Sequence, residues 1–161
     1  MIFVVQEHHA QRLHWDFRLE IGGVLASWAV PKGPSLDPAQ KRLAIRVPDH
    51  DLAHADYEGI IPAGSYGAGP VLLWDRGEYE AVAPGDPAAG LDAGRLVVRL
   101  RGRVLKGLFA LVRFSGRGRE RRWLLIKEAD AQARPAWRTP VALTPARARR
   151  LRVKAPACSS S

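Results

Sequence analysis

"RLHWDFRLEIGGVLASWAV", residues 12–30, alternates strictly between apolar and polar side chains before it reaches a pair of glycines. Successive side chains of a strand point to opposite faces. Leu13, Trp15, Phe17 and Leu19 therefore share one face, and His14, Asp16, Arg18 and Glu20 the other. Gly22-Gly23 suits a hairpin turn into "GVLASWAV". The same short period recurs downstream. It runs through "RLAIRV" (42–47), "GPVLLWD" (69–75) turned by Arg76-Gly77 into "EYEAVA" (78–83), "GRLVVRLRG" (94–102), "RVLKGLFALVRF" (103–114) and "RRWLLIKEAD" (121–130). Period-two segments punctuated by Gly and Pro predict a mainly β fold. The expected architecture is a compact closed or partly open β-barrel of about eight strands, with long loops and little helix.

Three segments break the pattern. "PKGPSLDP" (31–38) reads as a turn-rich loop, "DHDLAHADYEGIIPAGSYGAG" (49–69) as a long connection, and "APGDPAAGLDAG" (83–94) as a surface excursion. Residues 1–130 form the expected barrel domain, and 131–161 a basic Pro/Ala/Arg-rich extension. In that extension "TPARARRLRVK" suits a short basic helix, and "APACSSS" a disordered end.

The chain has 161 residues, 47% hydrophobic and 25% charged, a composition suited to one core. No apolar run reaches the ~18 residues of a membrane span, and no secretory signal opens the sequence. A single cysteine, Cys158, allows no internal disulfide, which favours the cytoplasm. One cysteine and five histidines also argue against a structural zinc knot. The net charge of +9 is unevenly spread. Residues 1–94 carry seven Lys/Arg against thirteen Asp/Glu, net −6, whereas 95–161 carry eighteen against three, net +15. Such a basic surface attracts polyanions, nucleic acid foremost; a merely solvated arginine-rich surface has the same composition.

Alternate side chains on a strand lie about 6.5–7 Å apart, so His14, Asp16 and Arg18 project together. Imidazole and carboxylate at that spacing can share a metal ion, and His8 can add a third ligand from the preceding turn or strand. Two histidines and a carboxylate suit Mn²⁺, Fe²⁺ or Zn²⁺ better than Mg²⁺ or Ca²⁺. Arg18 has the fork to hold a phosphate or carboxylate oxygen. An ordinary polar face on a half-exposed strand has the same pattern, and His9, of opposite parity to His8, reads as a surface residue. His50 and His54 can bind phosphate as imidazolium or act as general acids. Lys32 and Arg42 hint at an anionic substrate, with salt bridges as the alternative. Gly64, Gly67 and Gly69 allow close backbone approach, but the Lys-Ser/Thr ending of a Walker loop is missing. Arg95, Arg99, Arg101 and Arg103 share one parity, suited to tracking a duplex or simply to facing solvent.

Taken together, residues 2–80 and the later "LKGLFALVR" and "WLLIKEAD" closely resemble the 3′-phosphoesterase domain of bacterial DNA ligase D, the end-healing module of non-homologous end joining. The resemblance implies a β-barrel with Mn²⁺-dependent activity on DNA 3′ ends. Such activity removes a 3′-terminal ribonucleoside and hydrolyses the resulting 3′-phosphate to a 3′-OH. It implies His8, His14 and Asp16 as metal ligands, Arg18 and His50 as phosphate contacts, and Lys32 and Arg42 as basic residues needed for activity. His54 stands where the family has Tyr. The chain also begins close to the first motif, without the acidic N-terminal arm that serves ribonucleoside removal, so phosphate removal is the firmer expectation. With no ligase or polymerase module in view, a stand-alone version or an excised domain is expected, as a monomer. Its partners would be DNA 3′ ends or primer-templates, a Ku-like protein and a separate DNA ligase. Two competing readings are a non-catalytic DNA-end-binding module and a non-haem Fe(II) oxygenase. The first would bind DNA without releasing phosphate, and the second would require oxygen and an organic co-substrate.

Overall fold

The alternating stretch becomes two antiparallel strands, β2 (Leu13–Ile21) and β3 (Val24–Val30). Gly22 and Gly23 turn the chain between them with φ of 62° and 83°, a left-handed pair that side chains with a Cβ resist. In the computed structural model, which describes residues 1–156, these strands belong to a closed antiparallel barrel. The other strands are β1 (Ile2–His9), β4 (Arg42–Asp51), β5 (Gly59–Ile61), β6 (Gly69–Ala83), β7 (Arg95–Arg101), β8 (Lys106–Arg113) and β9 (Arg122–Lys127). They run in the order β1-β2-β3-β4-β9-β8-β7-β6, and β6 pairs back with β1 to close eight strands; β5 adds to β6 outside the ring. Phe3, Phe17, Trp28, Phe109 and Trp123 are buried together inside. Trp28 and Trp123 meet edge to face with centroids 5.5 Å apart, a favoured aromatic geometry.

Several expectations change. "GPVLLWD" and "EYEAVA" are one fifteen-residue strand, with no turn at Arg76-Gly77. Gly77 serves a close approach instead: a Cβ there would fall 2.1 Å from the carbonyl oxygen of Arg101 on β7. The pairing of β6 with β1 shifts register between Val5 and Gln6, bending the long strand around the barrel. The connection 49–69 is largely structured. It holds the end of β4, a 3-10 helix (Leu52–Asp56) and β5. Residues 83–94 contain a helix, α1 (Pro87–Ala93), capped by the Asp86 side chain and ended by Gly94 at φ 80°.

The basic extension folds back on the barrel. Backbone N–H groups of Ala142 and Leu143 donate to the carboxylate of Glu7, which is fully buried. Trp74 donates its indole N–H to the Pro140 carbonyl at 2.8 Å. The expected basic helix is α2 (Pro145–Arg150), capped by Thr144. Cys158 and the end of "APACSSS" lie outside the described residues. Among the described residues, no helix is long and apolar enough to cross a membrane.

Candidate metal and phosphate site

The polar face of β2 lies on the outside of the barrel, yet it is not solvated. Asp16 and Arg18 are only 6% and 4% exposed. Pairing with β1 sets His8 opposite His14, Gln6 opposite Asp16, and Val4 opposite Arg18. On the other side, Asp16 faces Ala29 and Arg18 faces Ser27 of β3. Of these, His8, His14, Asp16, Arg18 and Ala29 floor a cleft of ≈ 660 Å³. The 3-10 helix, the loop around Gly67 and the end of the extension at Pro156 contribute its walls.

One ligand atom from each of His8, His14 and Asp16 lies within 4.8 Å of the others. Nδ1 of His8 is 3.4 Å from Asp16 Oδ2, and Nε2 of His14 is 3.2 Å from Oδ1. The remaining ring nitrogens contact carbonyls, which can only accept. His8 Nε2 donates to Gly67 O at 2.6 Å, and His14 Nδ1 to Arg12 O at 3.1 Å. These bonds place the N–H groups away from Asp16 in the neutral rings, leaving Nδ1 of His8 and Nε2 of His14 as inward lone pairs. The donor set therefore fits a transition metal better than Mg²⁺ or Ca²⁺.

Arg18 organises the next layer. Its Nε donates to Gln6 Oε1 at 2.7 Å, and Nη1 to Ser27 Oγ at 2.8 Å and His50 Nδ1 at 3.1 Å. Nη2 lies 3.5 Å from Asp16 Oδ2 and 3.4 Å from His54 Nε2. Burial by itself would raise the Asp16 carboxyl pKa. The Arg18 charge beside it outweighs burial and holds the group well below the usual carboxylate range. His50 and His54 shift the opposite way from most paired histidines. Burial first, then the Arg18 charge, lowers both, and His54 is pushed down to about 3. The imidazolium reading of these two residues therefore gives way to neutral rings. A guanidinium only donates, so His54 Nε2 accepts, which puts its N–H on Nδ1; His50 Nδ1 accepts from Arg18 at 3.1 Å in preference to the longer 3.3 Å contact with the Pro48 carbonyl, which puts its N–H on Nε2. His54 Nδ1 is buried without a partner among the described residues.

The structure brings His8, His14, Asp16, Arg18, His50 and His54 to one cleft, with His50 on β4 and His54 on the 3-10 helix. Lys32 and Arg42 are not among its lining residues. Lys32 is exposed in the loop after β3, and Arg42 shares strand parity with Ala44, which packs in the core. His9 is no bystander either: its Nε2 pairs with Glu7 Oε2 at 2.7 Å, joining the network that ties down the extension. Arg99 and Arg101 both pair with Glu80 and so form an ion-pair cluster across β6 and β7.

Residues 6–113 match the DNA Ligase D 3′-phosphoesterase domain. The chain belongs to this family. It is 53% identical over 132 residues to the multifunctional non-homologous end joining protein LigD of Pseudomonas aeruginosa, covering 82% of this chain and 16% of that protein. The corresponding DNA repair protein LigD of Mycobacterium tuberculosis is 47% identical over 122 residues, 76% of this chain and 15% of that protein. LigD of Mycolicibacterium smegmatis is 41% identical over 138 residues, 83% and 18%. The chain thus spans less than a fifth of the length of these curated relatives.

Several residues of this candidate site carried no signal in the sequence. Gln6 reads as one polar residue in an apolar strand, yet its Oε1 receives Arg18 and its Nε2 donates to the carbonyls of His54 and Tyr57. Tyr57 stacks on His54, with planes 5° apart and centroids at 5.4 Å. Arg12 and Arg121 line the cleft from distant parts of the chain.

Proposed function

We propose that this chain processes DNA 3′ ends as a Mn²⁺-dependent phosphomonoesterase, hydrolysing a 3′-phosphate to leave a 3′-OH. Removal of a 3′-terminal ribonucleoside is its second activity. The observation that carries the reading is the convergence of His8 Nδ1, His14 Nε2 and Asp16, with both imidazole N–H groups turned to carbonyls. These three residues would hold the ion, which would supply Lewis acidity toward a phosphoryl oxygen and toward water. In hydrolysis, water adds to phosphorus, the bond from phosphorus to the 3′-oxygen breaks, and that oxygen takes a proton.

The chain's own groups supply the rest. Arg18 offers positive charge from the cleft floor and holds His50 and His54 in place. The neutral His50 ring presents its Nε2 N–H to a phosphate oxygen. His54 takes the position of the family tyrosine and accepts from Arg18 through Nε2, bracing that cation beside the phosphate. Arg12 and Arg121 receive the nucleic-acid strand at the cleft wall. Lys32 and Arg42 contribute from off the cleft, Lys32 through the exposed loop after β3. A DNA ligase and a Ku-like end-binding protein would use the repaired end.

The test is release of inorganic phosphate from a 3′-phosphorylated primer by wild type and His14→Ala. Loss of at least about 100-fold in the variant, with its fold intact, is expected where a metal ligand is removed. Full Mn²⁺-dependent turnover by the variant would sink the metal assignment.

A further inference from the structure

Residues 147–154, "RARRLRVK", place five cations within eight positions. They lie beyond residue 113, where the match to the phosphoesterase family ends. The segment is nevertheless firmly seated. Ile60 N donates to Arg152 O at 2.8 Å and Lys154 N to Ile60 O at 3.0 Å, so Val153 extends the sheet alongside β5. The Tyr57 hydroxyl donates to Lys154 O at 2.8 Å. Arg147 pairs with Glu58. Among the described residues, no carboxylate pairs with Arg149, Arg150, Arg152 or Lys154. Arg152 turns its Nη1 onto the last carbonyls of α2 and Lys154 sets its Nζ 5.3 Å from the centre of the Tyr57 ring, while Arg149, Arg150 and Lys154 stay exposed.

Holding several like charges side by side is unfavourable unless an anion meets them. The strap also leads to the site. Pro156 lines the cleft and lies four positions beyond Arg152, at most about 14 Å of extended chain. We infer that this strap is a phosphate-backbone surface, on which Arg149, Arg150 and Lys154 hold the nucleic-acid strand leading away from the 3′ end in the cleft. The inference rests on the proposed action at DNA 3′ ends, and it assigns the strap affinity rather than chemistry.

The triple substitution R149Q/R150Q/K154Q leaves Arg152 as the cap of α2. Binding of the full chain to a fluorescein-labelled primer-template with a 3′-OH end is followed by anisotropy between 0.05 and 0.3 M NaCl. Each lost phosphate contact lowers the slope of log K against log salt by about 0.9, so a decrease of about 2 to 3 is expected, with affinity at 0.1 M falling at least about tenfold. R149K/R150K keeps the wild-type slope. On a 3′-phosphorylated duplex the triple variant shows raised KM with unchanged kcat, and on thymidine 3′-monophosphate, too short to reach the strap, it matches wild type. Equal slopes for wild type and triple variant overturn the inference, as does a lysine variant that loses the slope. Substitution that abolishes binding to phosphatidylserine vesicles but spares the duplex overturns it in favour of a lipid surface. A wild type that binds duplex with the expected slope but releases no phosphate refutes the proposed activity and leaves the strap standing.

Discussion

The carbonyl oxygen of Gly67 lies 2.6 Å from His8 Nε2, and this contact selects the imidazole nitrogen that His8 turns toward Asp16. The loop reaches β1 because residue 67 has no side chain. Its φ is +72°, and a Cβ would sit 3.1 Å from His8 Cε1. Gly67→Ala should push the loop off His8 and free the ring to rotate. Mn²⁺ affinity, measured by isothermal titration, is expected to fall about 10- to 100-fold, the range for loss of an orienting partner. Unchanged affinity would show that Gly67 does not set the His8 tautomer.

Gln6 is fully buried and bonds Arg18 to the backbone of the 3-10 helix region. Gln6→Leu removes both ends of its amide, taking an acceptor from Arg18 Nε and the side-chain donor from the carbonyls of His54 and Tyr57, of which that of His54 still accepts from Tyr57 N. An unsatisfied buried polar group costs about 1–3 kcal/mol. Urea unfolding should show a loss of about 3 kcal/mol, accompanied by reduced phosphate release as His54 loses its support. A variant as stable as wild type contradicts the role given to Gln6.

The folded chain holds His54 at about 3, against an ordinary value of 6.5, because burial and then Arg18 and His50 oppose its charge. Between these values the unfolded chain binds a proton that the folded chain does not. This contribution to stability is complete above about pH 6.5 and is lost as pH falls toward 3, by about 1.4 kcal/mol per pH unit. In EDTA, His54→Gln should therefore show a shallower fall of stability between pH 6 and 4 than wild type, by about that slope. Parallel curves would contradict a neutral buried His54.

Gly77→Ala tests the continuity of β6. A Cβ at 2.1 Å from Arg101 O forces β6 and β7 apart. Thermal unfolding should reveal a loss of about 3 kcal/mol, at the upper end of overpacking costs. A turn at Arg76-Gly77 would instead absorb the methyl group with little effect.

The barrel was legible wherever one face was apolar and the other polar, as in 12–30, because such strands declare their period. Where both faces are buried the period weakens. The first strand, "IFVVQEHH", carries the core residues Phe3 and Val5 on one side and Gln6 and His8 on the other, and only its pairing with β2 shows which side each takes. Gly77 misled as a turn signal, since glycine marks close backbone approach as readily as reversal. The cluster of His8, His14 and Asp16 was readable from strand spacing and family resemblance. The layer beneath was not. Gln6, Ser27 and Tyr57 meet Arg18 and His54 through register and stacking between segments far apart in sequence. Lys32 and Arg42 show the converse: chemistry suited to an anion, on residues that the fold sets off the cleft wall.

The central claim is tested most directly with a 5′-labelled primer-template ending in a 3′-phosphate, incubated with the full chain with and without Mn²⁺ and resolved on a denaturing gel. The account predicts conversion to the slower-migrating 3′-OH product in Mn²⁺ alone, equally fast without oxygen and abolished in Asp16→Asn. An unchanged 3′-phosphate in Mn²⁺, with the DNA still bound, would contradict it and leave an end-binding module in its place.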